Sequence, residues 1–185
     1  GRGTAWYRGE VLPGGEALRR AGLTPIEPEA KEGLALTNGV QITAGVMALT
    51  VDAGYMLARA ADVVASLSGQ ALSVISAAYD PHIVELRPHA GAADVAFNLR
   101  ALLKGSSLAS EPGQVRVQDP YVLRCIPQVH GAVRQSLEHV ESVVEVESGS
   151  ATDNPLVLPD GRVISGGNFH GQPLGVAADY LGLSL

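Results

Sequence analysis

Nineteen consecutive residues, Gly33 to Val51, carry no charge, and the apolar pattern that begins there continues well beyond them. Ile42, Val46, Leu49, Ala53, Met56, Ala60, Val63 and Leu67 recur at alternating steps of four and three. That period, near 3.5 residues, belongs to a long packed helix. The pattern predicts a helical run from about Glu29 towards Ala78, bent or interrupted near Gly69. A helix this long and this poor in charge needs apolar neighbours, and 185 residues supply few of them. An oligomeric helix bundle is the expectation. By length alone the charge-free stretch would also suit a membrane span. Only eleven of its residues are apolar, however, with Asn38, Gln41, three Thr and three Gly among them, so burial among other helices is the preferred reading.

A second helix of the same kind is expected after Asp119-Pro120, read as an N-cap carboxylate followed by proline at the first helical position. It should reach about Glu147, with Val122, Ile126, Val129, Val133, Leu137, Val140 and Val144 on one face and a kink at Pro127. Shorter elements surround these two. A hairpin over 4–12 turns at Arg8-Gly9, and a helix from Glu16 to Ala21 is closed by Gly22. Another helix spans Ala92 to Lys104, a second hairpin brackets Pro159-Asp160-Gly161, and a last helix starts at Pro173. Tyr79 to Gly91, broken by Pro81 and Pro88, reads as irregular. The fold class is all-α: long antiparallel helices of a multi-subunit bundle with short β-hairpins. Residues 1–185 read as one segment. The start at Gly1 and the apolar stretch Ala177 to Leu185 suggest a piece of a longer chain, truncated at both ends.

Charged residues make up 17% of the chain, against roughly 25% in an average soluble domain. Apolar residues reach 46%, which excludes a disordered polypeptide. The net charge of −6, without basic clusters, argues against a nucleic-acid partner. A single cysteine, Cys125, excludes an intrachain disulfide framework and fits a reducing, cytoplasmic compartment. The five histidines show no metal-ligand spacing, and no Walker sequence, dinucleotide fingerprint or Gly-x-Ser-x-Gly elbow occurs. No metal is expected.

Four polar stretches call for an explanation. Gln118, Tyr121, Arg124 and Gln128, spaced three, three and four apart, would share one helical side. A guanidinium, a phenol and two amides suit either a solvated face or an amino-acid-like ligand, with Arg taking a carboxylate and Tyr a proton. Asn38 and Gln41 either satisfy each other or line a polar pocket. Ser150 to Pro155 reads as a structural turn. Ser165 to Gly171 precedes a helix, where backbone N–H groups can cradle an anion.

Taken together these stretches resemble one family. Ala30-Lys31-Glu32-Gly33-Leu34-Ala35-Leu36 followed by Asn38-Gly39-Val40-Gln41 is similar to the AKEGLAL…NGTQ block of the histidine and aromatic amino-acid ammonia-lyases. Arg87-Pro88-His89, Val117-Gln118-Asp119-Pro120-Tyr121, Leu123-Arg124-Cys125 and Pro127-Gln128-Val129 resemble its central blocks. Ser150 to Val157 and Ser165 to Gly171 resemble its SATDNPLV and SGGNFHG blocks. The blocks occur in order over nearly the whole chain, with wording closest to the histidine branch.

The resemblance implies an ammonia-lyase/fumarase-like helical bundle forming a homotetramer, with each active site assembled from several subunits. It implies removal of a β-proton and loss of ammonia from an amino-acid substrate, histidine giving trans-urocanate. The electrophile would be a methylidene-imidazolone (MIO) group made from an Ala-Ser-Gly tripeptide, which this chain does not contain. In the family that tripeptide lies upstream of the part similar to 1–10, so the segment alone would be inactive. On the same grounds Tyr121 would transfer the proton and Arg124 would bind the substrate carboxylate. Gln118 and Phe169 would line the pocket, and Asn38 would hold the imidazolone carbonyl or the substrate amine. Val40, Val122 and Gly149 stand where the family usually has Thr, Ser and Asn. These departures leave two alternatives open: a tyrosine or phenylalanine lyase or aminomutase on the same scaffold, or a non-catalytic helical oligomerisation segment. The fumarase-type G-S-x-x-M-P-x-K-x-N block is absent.

Overall fold

The computed structural model describes residues 2–185. The chain divides into two compact units, one ending at Asn38 and the other spanning Gly39–Leu185.

The first unit opens with the expected hairpin. β1 (Thr4–Tyr7) and β2 (Glu10–Pro13) pair antiparallel with Tyr7 opposite Glu10. Arg8 and Gly9 both have positive φ, +49° and +88°, the backbone of a two-residue turn that matches strand twist. α1 (Gly14–Arg20) carries Glu16 in its first turn, bonded to Arg19 and Arg20 at 2.6 and 2.7 Å. These two guanidiniums hold the Glu16 carboxyl below its ordinary range. Gly22 closes the helix at φ +70°. α2 (Glu32–Ala35) is a single turn.

The second unit is a helical bundle. α3 (Gln41–Ala71) leads through a 3₁₀ turn (Ser76–Tyr79) to α4 (Pro81–Glu85) and α5 (Ala90–Leu103). After a polar loop come α6 (Tyr121–Arg124), α7 (Ile126–Ser148), the two-residue strands β3 (Leu156–Val157) and β4 (Val163–Ile164), and α8 (Gln172–Ser184). α7 is central and packs on α3, α5 and α8. It runs antiparallel to α3, since Tyr55 donates to Glu141 at 2.6 Å while Asp62, further along, meets Arg134 and His130. α8 also runs antiparallel to α7, with the Tyr180 ring edge-on to His139 at 5.4 Å. One apolar cluster joins Ala44, Met47 and Val51 of α3 to Leu137, Val140 and Val144 of α7 and Leu174, Ala177 and Leu181 of α8. A second joins Val74 and Tyr79 to Val95, Leu99, Leu123 and Ile126. α5 crosses α7 at Gly91 and Gly131, where a Cβ on Gly131 would sit 2.6 Å from the Cα of Ala92.

Several expectations are corrected. The long run does not extend from Glu29 to Ala78. It breaks between α2 and α3, where Gly39 adopts φ +106°, and it ends at Ala71, before Ser73 at φ +51°. Its alternating seam is not the buried face: Ile42 is 81% exposed and Leu49 75%, and Val46, Met56, Val63 and Leu67 are exposed too. Inside lie Ala44, Met47, Val51, Ala58, Asp62, Ser66 and Gly69, of which only Met47 and Val51 are sizeable apolar side chains; the small ones let neighbouring helices approach closely. The segment 79–91 is not irregular throughout, because Asp80 accepts from the His82 N–H at 2.9 Å and caps α4 with Pro81 as its first residue. Asp119 does not cap its helix; Pro120 holds that position and the carboxylate turns inward. No helix among the described residues is long and apolar enough to cross a membrane.

Candidate functional site

α6 is one turn long and presents Tyr121 and Arg124 three residues apart. The Arg124 guanidinium lies over the Tyr121 ring at 5.0 Å, a cation–π contact that orients both side chains. Gln118, Asp119, Pro120, Tyr121 and Arg124 together line an open cleft of about 390 Å³. Tyr121 is exposed, and Arg124 is half-buried with an Nε that has no hydrogen-bond partner among the described residues. A buried donor of that kind lacks the acceptor that normally accompanies it.

Gln128 does not join this group. The chain breaks at Cys125, which ends α6 and begins α7, so the four-residue step from Arg124 does not follow one helical face. Gln128 lines a different cavity of about 180 Å³ with Arg87, His89 and Gln135, and its Oε1 is buried without a hydrogen-bond partner among the described residues. Pro127, read as a kink, was the sequence signal for this break.

Within the second unit, Gly39 and the motif loops 150–155 and 165–171 gather at the other end of α7. Gly39 is packed so closely against the Thr152 carbonyl that no side chain fits there, and a Cβ on Gly171 would come within 2.8 Å of Val40 Cγ1. Asn154 Oδ1 accepts from the Gly166 N–H at 2.8 Å and the Ser165 hydroxyl at 3.1 Å. Asn168 Nδ2 donates to the Ala151 carbonyl at 3.4 Å. The start of α3 and the loops 150–155 and 165–171 therefore form one cluster, as a structural turn at Ser150 to Pro155 requires. Phe169 belongs to this cluster and is 42% exposed. Asn38 is the chain neighbour of Gly39 and ends the first unit. The first N–H of α8, at Gln172, is taken by His170 Nδ1 at 3.1 Å, which leaves one donor fewer for an anion.

The sequence-predicted residues thus form two groups. Gln118, Tyr121 and Arg124 lie where α7 begins, and Phe169 lies where it ends. α7 has 23 residues and is about 34 Å long at 1.5 Å per residue. A single copy of the chain does not bring Phe169 to Arg124.

Three buried features were not found by sequence reasoning. Asp62, 1% exposed, is met by Arg134 at 2.6 Å, Asn98 at 2.8 Å and His130 at 3.0 Å. Burial pushes its carboxyl up, but the hydrogen bonds from His130 and Asn98 and the Arg134 charge outweigh it and hold the group below its ordinary range. Asp119, 2% exposed, accepts from the Ile75 N–H at 2.6 Å and lies 2.9 Å from Arg116 Nε. Tyr79, also 2% exposed, donates to the Leu123 carbonyl at 2.8 Å. Burial and the Asp119 charge push the Tyr79 hydroxyl up to about 12, so it stays protonated. Among the described residues no group of three or more His, Cys, Asp or Glu side chains could hold a metal.

The family model for aromatic amino acid lyase matches residues 1–185. A histidine ammonia-lyase from Symbiobacterium thermophilum is 50% identical over 186 residues, covering 100% of this chain and 37% of the relative. Among solved structures, a Pantoea agglomerans phenylalanine aminomutase superposes with a TM-score of 0.93 at 32% identity, over 100% of this chain and 39% of that one. A histidine ammonia-lyase from Trypanosoma cruzi gives 0.83 at 41% identity, over 95% of this chain and 32% of its own. The chain spans little more than a third of the curated relatives' length.

Proposed function

Because the chain belongs to the aromatic amino acid lyase family, we propose that it is a segment of a histidine ammonia-lyase, which eliminates ammonia from L-histidine to give trans-urocanate. The observation that carries this reading is the pairing of Arg124 with Tyr121 on one turn, beside Gln118 and around an open cleft. Arg124 offers a planar fork for the substrate carboxylate, and its unpartnered Nε supports that role. Tyr121, three residues away, presents its hydroxyl for proton transfer at the substrate β-carbon. Gln118 supplies an amide at the same cleft.

The reaction also needs an electrophile, and the residues present fit the MIO group. The Asn38 side chain is an amide of the kind that donates to a carbonyl oxygen, and the half-exposed Phe169 ring provides a flat apolar face for a planar heterocycle. When bound, that group supplies the electrophile that makes the substrate amine a leaving group. In the family reading Asn38 would hold its carbonyl and Phe169 would line the pocket, while Arg124 would bind the substrate carboxylate beside Tyr121.

The spacing within one chain supports a homo-oligomer, a tetramer in this proposal. Phe169 and Arg124 lie at opposite ends of α7, about 34 Å apart along the helix, so a complete pocket requires the Arg124 end of one copy against the Phe169 end of another. The exposed apolar seam of α3, Ile42, Val46, Leu49, Met56, Val63 and Leu67, supplies surface for that association. A cytoplasmic location and the lack of nucleic-acid and membrane partners complete the proposal, in keeping with the low charge and single cysteine. The test is product formation: a polypeptide carrying this segment is supplied with L-histidine, L-tyrosine or L-phenylalanine, and urocanate, cinnamates and β-amino acids are separated. Urocanate from histidine supports the reading; a cinnamate or β-amino acid instead assigns it to a tyrosine or phenylalanine lyase or aminomutase.

A further inference from the structure

A one-turn helix does not hold its own shape. The first turn fixes several dihedral angles for one hydrogen bond, so an isolated turn such as α6 is unfavourable. Nor does a side chain cap its N-terminus. The orientation of Tyr121 and Arg124 must therefore be imposed from outside the turn.

Two buried groups impose it, and both ties end on the same short segment. In front of α6, the Asp119 carboxylate accepts from the Ile75 N–H at 2.6 Å, across 44 residues of sequence. Its second oxygen lies 2.9 Å from Arg116 Nε, a close ion pair rather than an aligned hydrogen bond. Arg116 in turn donates to the Leu72 and Ser73 carbonyls. Within α6, the Leu123 carbonyl accepts from the Tyr79 hydroxyl at 2.8 Å. The Tyr79 carbonyl is itself taken by Arg100 at 2.6 Å, and the Leu123 side chain is buried with Tyr79, Val95 and Leu99. The segment 75–79 thus grips α6 just before Tyr121 and just before Arg124.

We propose that Asp119 and Tyr79 are positioning residues, clamping the Tyr121–Arg124 turn to the 75–79 segment so that the guanidinium and the phenol meet the substrate at a fixed separation. Neither is assigned a bond to substrate: Tyr79 is 2% exposed, and the Asp119 carboxylate, at the wall of the cleft, is turned inward to the Ile75 N–H and Arg116. The inference rests on the lyase reading, in which Arg124 binds the carboxylate and Tyr121 moves the proton. Displacing reacting groups by about 1 Å can cost roughly 100-fold in rate, so loss of either tie is expected to be read in the rate.

The experiment is a double-mutant cycle in a polypeptide that carries this segment and turns over its amino acid. Tyr79→Phe removes only the hydroxyl, and Asp119→Asn keeps the shape and loses the charge. Each should lower kcat/KM by about 10- to 100-fold. Tyr79→Phe should leave the oligomer and its melting temperature close to the parent's. Asp119→Asn also strips the charge from a buried ion pair and lowers the melting temperature, so its activity is read well below that temperature. In an Arg124→Lys background, where a flexible ammonium no longer needs an oriented fork, the same changes should cost about threefold or less, the non-additivity that coupled residues show. Equal losses in both backgrounds, or Tyr79→Phe within about threefold of the parent, would overturn the inference while leaving the lyase reading intact. If Asp119→Asn fails to fold, Tyr79→Phe alone decides the matter. No turnover by the parent itself defeats the lyase reading first, and this inference with it.

Discussion

Asp62→Ala is the most informative stability perturbation. The wild-type carboxylate is 1% exposed and receives Arg134, Asn98 and His130 within 3.0 Å. It joins the middle of α3 to both α5 and α7. The side chain of Arg134 is 12% exposed, so truncation leaves a guanidinium with little access to water, bonded among the described residues to the Ala58 carbonyl at 3.1 Å. Removing one partner of a buried ion pair costs about 3–5 kcal/mol. Urea unfolding at matched protein concentration measures it, and with a slope near ~2 kcal/mol/M the midpoint should fall by roughly 1.5–2.5 M. Replacing both partners, Asp62→Leu with Arg134→Met, should recover more than half of the loss, because no charge is then stranded. The pH dependence has a definite sign. The folded-state carboxyl titrates below its ordinary value of 3.8, so its contribution is present above that value and lost as pH falls through the lower, folded one. Asp62→Asn should therefore flatten the acid limb and leave the neutral-pH slope unchanged. A loss below about 1 kcal/mol for Asp62→Ala, or a double variant as unstable as the sum of the singles, would refute the reasoning.

Gly131→Ala should destabilise the bundle by about 3 kcal/mol or more in the same urea assay, because the added Cβ meets the Ala92 Cα at 2.6 Å and neither backbone can yield without separating α5 from α7; a loss under about 1 kcal/mol would show that the crossing is looser. Co-expressing Arg124→Ala and Phe169→Ala chains, each inactive alone, should restore measurable turnover if one pocket draws its two groups from different copies. Failure to restore it in proven mixed oligomers would place both groups in one copy.

How far the sequence could be read is best judged by pairs of similar signals with different outcomes. Asp80-Pro81 and Asp119-Pro120 are the same dipeptide. The first caps α4; the second does not cap α6, because Asp119 finds a better-buried partner in the Ile75 N–H 44 residues away. No local pattern contains that information. The two long apolar seams diverge likewise. On α7 the alternating residues Leu137, Val140 and Val144 are buried as expected. On α3 the equally regular Ile42, Val46 and Leu49 face outward and Ala44, Met47 and Val51 face inward. That helix is apolar on more than one side, so periodicity establishes its length and leaves open which side meets the chain's own core. Motif identity was legible for Gln118, Tyr121 and Arg124, which do line one cleft. Gln128 was misplaced because helical spacing was carried across the break at Cys125. Asp62 was hidden because it lies off the apolar seam, one of two acids on α3 and on the side that the periodicity left unread.

The direct test of the account is the fate of L-histidine. A polypeptide carrying this segment behind an Ala-Ser-Gly tripeptide, incubated with histidine and followed by urocanate absorbance and ammonia release, should produce both in equal amounts. Arg124→Ala should lower kcat/KM by at least about 100-fold, by analogy with the loss of a charged group that binds and orients substrate. Turnover of tyrosine or phenylalanine with none of histidine, or histidine turnover indifferent to Arg124, would contradict it.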